Sequence, residues 1–289
     1  MPLTRKRFLG LAGRGALGAA AYTTFGFLDR AEASSDCPAG TRTSTKRFLY
    51  RGSAVGFGGR ITDPPLGVIP AQAATTLPPD GGNAEARVDG YGFHGIVYVN
   101  SAYSLVRGNP DLKGCRPVFR TVATATVNGL DVDGVVRADT IVASLESEQP
   151  EAGGELDMLP VGYFANLRIR GFAIDLRPHA DLLKMRKKSE IDAYREKNRE
   201  GIYVTALGGS QYVCSIFDDA SVAAAIKGIP GVTALPGGRI HVDDFGDIAF
   251  GEFFVSADAR RLTMMRIELA SPPTGTMDFA SVEGDGSPS

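Results

Sequence analysis

From Val118 to Leu145 the chain alternates its side chains with a period of two. Val118, Arg120, Val122, Thr124 and Thr126 share one parity; Phe119, Thr121, Ala123, Ala125 and Val127 share the other. A helix would scatter these residues around its circumference, whereas a strand sends each set to one face. The residues are rich in β-branched types, which suit a pleated, half-buried surface. Asn128-Gly129 and Asp133-Gly134 both let the backbone take positive φ, so both read as hairpin turns. This run commits the chain to antiparallel sheets.

Neighbouring segments extend the pattern. Phe48, Tyr50 and Val55 lie in a strand-like run, and Phe93–Val106 alternates as well. Tyr163–Leu176 adds a strand or a strand pair. Ile248–Val255 and Leu262–Leu269 flank a turn at Ser256–Ala259. Residues 62–83 hold five prolines and Gly81-Gly82 and read as a long loop, and Asn109-Pro110 marks another. Two segments read as helices. His179–Arg199 is dense in charge, with a thin apolar stripe of Leu182, Leu183, Ile191 and Tyr194. That composition predicts a surface helix that a short turn could replace. A shorter helix runs from an N-cap at Asp218 or Asp219 through Ala225 and stops at Gly228. The fold class is therefore mainly β: an antiparallel β-sandwich-like domain with one charged surface helix and one short helix. With 289 residues, 43% of them apolar, the chain can bury one substantial core.

The first residues carry a different message. Thr4-Arg5-Lys6-Arg7-Phe8-Leu9 resembles the twin-arginine translocation motif, with Arg5 and Lys6 as the basic pair and Phe8 and Leu9 behind them. Lysine at the second arginine is a departure from the consensus. A modestly apolar Ala/Gly-rich stretch follows, and Ala31-Glu32-Ala33 offers the small-x-small pattern of signal cleavage. The resemblance implies export in folded form, to the periplasm or the cell exterior. The expected organisation is a signal peptide at 1–33, a flexible lead-in at 34–45, a β-rich domain at 46–282 and a disordered tail at 283–289. Residues 1–33 carry five cations and two anions, so their loss takes the net charge from −2 to −5. A mildly acidic domain has no general attraction to nucleic acid. No stretch after residue 33 is long and apolar enough to form a membrane-spanning helix.

Candidate chemistry is sparse. The three histidines are His94, His179 and His241, and none stands at metal-ligand spacing from another histidine or a cysteine. His241 precedes Asp243, Asp244 and Asp247. Those three carboxylates are the first candidates for a metal, and with His241 for acid–base work; turn formation accounts for them equally well. Asp131-Val132-Asp133-Gly134 opens like a calcium loop but lacks the closing glutamate, since Ala143 stands there. Nucleophile and phosphate-loop motifs are absent. Of the three cysteines, Cys115 and Cys214 lie inside the folded part and form the better candidate disulfide, with Cys37 left over.

The stretch 118–148, with Val127-Asn128-Gly129-Leu130 and Gly134-Val135-Val136, resembles exported bacterial surface β-domains of the choice-of-anchor type. The segment from Phe250-Gly251-Glu252 to Pro272 is similar to C-terminal hairpins of uncharacterised secreted proteins. These resemblances imply a structural or binding role at the cell surface or in the periplasm, and carry over no catalytic residue. The leading expectation is an exported protein that binds an unidentified protein or small-molecule ligand, with no cofactor. A periplasmic hydrolase or cofactor enzyme, its site assembled only in the fold, is the second.

Overall fold

The computed structural model describes residue 37 and residues 41–197, 205–208, 211–256 and 259–288. The translocation motif Arg5, Lys6, Phe8, Leu9 and the cleavage residues Ala31 and Ala33 lie outside these. Among the described residues, the strands form two antiparallel sheets packed face to face.

The seven-stranded sheet contains β3 (Gly82–Phe93), β4 (Val97–Lys113), β5 (Arg116–Val132), β6 (Val136–Pro150), β7 (Asp157–Ala165), β8 (Arg168–Ile169) and β9 (Phe172–Ala173). Strands β3 to β6 are neighbours in chain order, and β7 and β8 both pair with β6. The nine-stranded sheet runs β10 (Thr205–Gly208), β11 (Gln211–Ser215), β14 (Gly246–Val255), β15 (Arg260–Leu269), β16 (Thr274–Pro288), β1 (Phe48–Asp63) and β2 (Gly67–Thr76). A hairpin of β12 (Val232–Leu235) and β13 (Arg239–Val242) joins it through β14.

Alternation delivers the core as the sequence implies. Ala123, Ala125 and Val127 are buried between the sheets, while Val122 and Thr124 face outward and are half-buried. The sheets approach closely where small residues meet: a Cβ on Gly56 of β1 would press on Ala102 of β4.

Each sheet carries a transverse row at which the inward parity skips one residue. In the seven-stranded sheet the row is Gly90, Asn100, Gly129 and Asp139, each falling between consecutive register pairs on β3, β4, β5 and β6. In the nine-stranded sheet it is Ala73, Gly56, Ala280, Met264 and Gly251, on β2, β1, β16, β15 and β14. Alternate strands take positive φ there: Gly90 (+66°) and Gly129 (+61°) in one sheet, Ala73 (+47°), Ala280 (+51°) and Gly251 (+60°) in the other. Val127 and Leu130 are therefore both buried, as are Ala138 and Ile141. Gly129 is required as glycine, because a Cβ would overlap the Asn100 side-chain amide as well as strain the backbone.

This row corrects the hairpin expected at Asn128-Gly129, which instead lies inside β5. Asp133-Gly134 is a turn, with φ of +50° and +68°, and joins β5 to β6. The loop expected at 62–83 contains β2. That strand ends its sheet, and Pro70 sits where its register with β1 shifts, so the missing N–H disturbs little. Asn109-Pro110 is likewise strand, on a part of β4 beyond the reach of β3. The tail expected to be disordered at 283–289 is paired with β1 as far as Pro288, and Asp285 is buried.

The cysteine expectation is also corrected. Cys37 bonds to Cys115, with Cα atoms 5.3 Å apart, and Cys214 is a buried free thiol. Cys115 lies in the β4–β5 turn at the end of one sheet, whereas Cys214 points into the core from β11. The lead-in is thus tethered at Cys37, and Ser44 is buried with its hydroxyl 2.7 Å from Glu151.

Both helices form. Helix α2 (Asp219–Ala225) is capped by the Asp218 carboxylate, which accepts from the Ala220 amide, and Gly228 beyond it has positive φ. The charged segment is a 3-10 turn at Leu182–Lys184 followed by α1 (Lys188–Lys197). It is no removable appendage: Leu182 is 0% exposed, Ile191 is 2% exposed, and both join the core.

Candidate functional site

The carboxylate and histidine cluster read from the sequence does assemble, on β13, β14 and the turn between them. His241 and Asp247 are opposite each other in register. The His241 Nδ1–H donates to Asp247 Oδ1 at 2.7 Å, and Arg239 Nη2 donates to Asp247 Oδ2 at 2.9 Å. Both oxygens of Asp247 are therefore engaged. Asp243 Oδ1 lies 3.9 Å from His241 Nε2, and Asp244 takes positive φ in the turn. Arg170 caps this turn by donating to the Asp243 carbonyl. Turn geometry and ion pairing account for all three aspartates. No group of three or more His, Cys, Asp or Glu side chains suited to a metal occurs among the described residues. His94 and His179 are elsewhere, the first in the β3–β4 turn, the second beside Leu182 and Tyr194.

The rest of this outer face is a lattice of charge. Arg266 lies 3.0 Å from Glu252 and donates to Asp278 at 2.9 Å. Burial lifts the Glu252 carboxyl above its ordinary range, and Arg266 pulls the other way. A second network crosses the far end of the seven-stranded sheet. Lys113 bridges Glu148 and Asp157, Arg120 pairs with Glu146, and Arg186 reaches in from the turn before α1. These charges pair across neighbouring strands and bind them together, although Arg120 Nε and Glu252 Oε2 are buried without a hydrogen-bond partner.

The outer face of the seven-stranded sheet between its rim charges is different. Its cross-strand rows are Tyr103–Thr126–Val142–Tyr163 and Leu105–Thr124–Ser144–Val161, on β4, β5, β6 and β7. Large side chains stand on the outer two strands and smaller ones on the inner two. Tyr103 is steered by its hydroxyl, which donates to Glu85 at 2.9 Å. Tyr98, further along β4, is 52% exposed. Between the ridges Thr124 and Ser144 share a hydrogen bond of 3.1 Å, and Thr140 and Ser101 bracket the Asn128 amide at 3.1 and 3.2 Å. The Thr126 hydroxyl is buried with no hydrogen-bond partner, in a residue 5% exposed. Sequence reading missed Tyr103 and Tyr163; outward parity in an aromatic strand was the available signal.

A model of the family described as Domain of unknown function (DUF8256) matches residues 48–206, more than half of the chain. The chain belongs to this family. The DUF8256 match takes in β1 to β9 and the charged segment, so the tyrosine-flanked face lies within it and the His241 cluster outside it. Comparison with curated proteins and with solved structures gives no match.

No helix among the described residues is long and apolar enough to cross a membrane.

Proposed function

We propose that this DUF8256 protein is an exported cell-envelope or secreted binding protein, and that the outer face of its seven-stranded sheet is the binding surface. The observation that carries the proposal is the placement of Tyr98, Tyr103 and Tyr163 around a small-residue floor on that face. Tyrosine supplies contact area with few rotamers to freeze and a polar tip for orientation. On the opposite outer face Arg239, Asp247, Glu252, Arg266 and Asp278 are engaged in ion pairs with one another, which leaves them less to offer. The Cys37–Cys115 bond supports export, since such bonds persist in oxidising compartments.

The test is photocrosslinking in the producing cell. A benzophenone amino acid replaces Tyr98 or Val142 on one face and Arg60 or Glu268 on the other. Adducts to an envelope component from the first pair and not the second are expected. Equal adducts from both faces, or adducts only at Arg60 and Glu268, would sink the proposal.

A second reading, a hydrolase, draws on the His241–Asp247 hydrogen bond, which orients the ring as a base needs. Its Nε2 faces Asp243, however, and not a hydroxyl or thiol, among the described residues.

A further inference from the structure

We infer that the ligand of this face is a linear, uncharged polysaccharide chain lying along the strands between the β4 and β7 ridges. The inference rests on the binding role proposed above and names its ligand class.

The geometry is that of an open trough. Three strand spacings separate β4 from β7, about 14 Å between backbones. Tyr98 and Tyr103 lie five residues apart on β4, about 17 Å at strand rise. The trough is therefore narrow enough for one chain and long enough for a run of sugar rings.

Its chemistry is selective. The floor strands β5 and β6 are hydrogen-bonded on both sides, so their backbone cannot recognise an added peptide strand. Recognition falls to side chains: tyrosine rings, hydroxyls and one amide. Sugar rings offer C–H faces that stack on aromatic rings and hydroxyl edges that exchange hydrogen bonds with Thr, Ser and Asn. Charges stand at the ends, as the Asp131–Arg137 and Arg120–Glu146 pairs, and on β3 beside the β4 ridge, where Arg87 pairs with Asp89 and Glu85 accepts from Tyr103. A charged polymer would meet no countercharge over the floor.

Thr126 is the independent sign of a ligand. Its hydroxyl lies on the outward side of β5, buried and unbonded. A hydroxyl in that state carries an unmet hydrogen bond, which a sugar hydroxyl can satisfy once the side chains covering it move aside.

The experiment is affinity electrophoresis of the purified exported protein in native gels containing hydroxyethyl cellulose, xylan or dextran. Retardation by at least one polymer is expected. Tyr103→Ala and Tyr163→Ala should each weaken it at least tenfold. Thr126→Val should weaken it several-fold while leaving the thermal midpoint unchanged or raised, a combination that a purely structural role would not produce. Circular dichroism of each variant checks that the fold is kept. Migration unaltered by all three polymers, or retardation that survives the tyrosine variants, overturns the assignment. If crosslinking at Tyr98 or Val142 still captures an envelope protein in the first case, the face remains the binding surface and only the ligand class is wrong.

Discussion

Arg186 Nε donates to Asp157 Oδ1 at 2.6 Å, and this contact fastens the charged segment 182–197 to the edge of the seven-stranded sheet. The same guanidinium lies 3.5 Å from Glu148, and the Arg186 carbonyl accepts from the Met158 amide at 2.7 Å. Further along, Arg195 stacks over the Tyr212 ring at 4.1 Å, which joins the segment to the other sheet. Leu182 and Ile191 then fill the seam between the two.

Arg186→Ala should cost about 1–3 kcal/mol, because it leaves a largely buried carboxylate short of a donor. Urea unfolding measures the loss. Hydrogen exchange should quicken across 182–197 before it quickens in β5. Uniform quickening would mean that the segment has no separate fastening.

Acid should loosen the same place. Burial disfavours ionisation of Asp157, but hydrogen bonds from Lys113 and Arg186 together outweigh it and hold the carboxyl below its ordinary range. A lowered folded pKa contributes stability above the unfolded value, near 4, and loses it as pH falls through the folded value. The thermal midpoint should therefore drop below about pH 4, and Asp157→Asn should flatten that part of the profile. An unchanged profile in the variant would assign the acid sensitivity to other carboxylates.

Gly129→Ala should destabilise by about 1–3 kcal/mol from backbone strain alone, with the clash against Asn100 added to it. Asn100→Gly in the same chain should recover part of the loss by removing the clash. A double-mutant cycle with no coupling would refute this account.

The disulfide spans 78 residues, and its loss in Cys37→Ser should cost about 2–4 kcal/mol. Burial pushes the Cys214 thiol up to about 12, so it should resist alkylation until the protein unfolds. Mass spectrometry without reductant should find no label on the native protein and one on the denatured protein. Two or three labels in the denatured sample would contradict the Cys37–Cys115 pairing.

Export should remove residues 1–33 and depend on the twin-arginine translocase. N-terminal sequencing of the exported form reads the site, and Arg5→Lys should hold the precursor inside the cell. Normal export from a translocase-deficient strain would refute the route.

Much of the sheet architecture was legible in the sequence because alternation is a local property. The capped helix at Asp218 was legible for the same reason. Non-local partners were not. Cys115 gives no hint that its sulfur meets Cys37, and Pro70 looks like a loop residue until β2 is known to be an edge. Asn128-Gly129 misled because positive φ serves a turn and a mid-strand kink equally. The aspartates at 243, 244 and 247 stood out by spacing, yet Arg239 and His241 use Asp247 for pairing. The grouping of Tyr103 and Tyr163 was not legible, since it depends on β5 and β6 joining into one sheet two strands whose tyrosines lie 60 residues apart, about a fifth of the chain.

The kinked rows make the sheets unusual in how they tolerate changes of length. Remove Gly129 and the inward order Val127, Leu130, Val132 becomes a regular alternation, so β5 alone would fit a flat sheet well. Its neighbours would still carry Asn100 and Asp139, and every hydrogen bond beyond the row would fall out of step. The row is one extra residue inserted in each of several strands at the same level. A deletion in one strand is a frameshift for the sheet, and only deletion of the whole row, Gly90, Asn100, Gly129 and Asp139 together, restores a common frame.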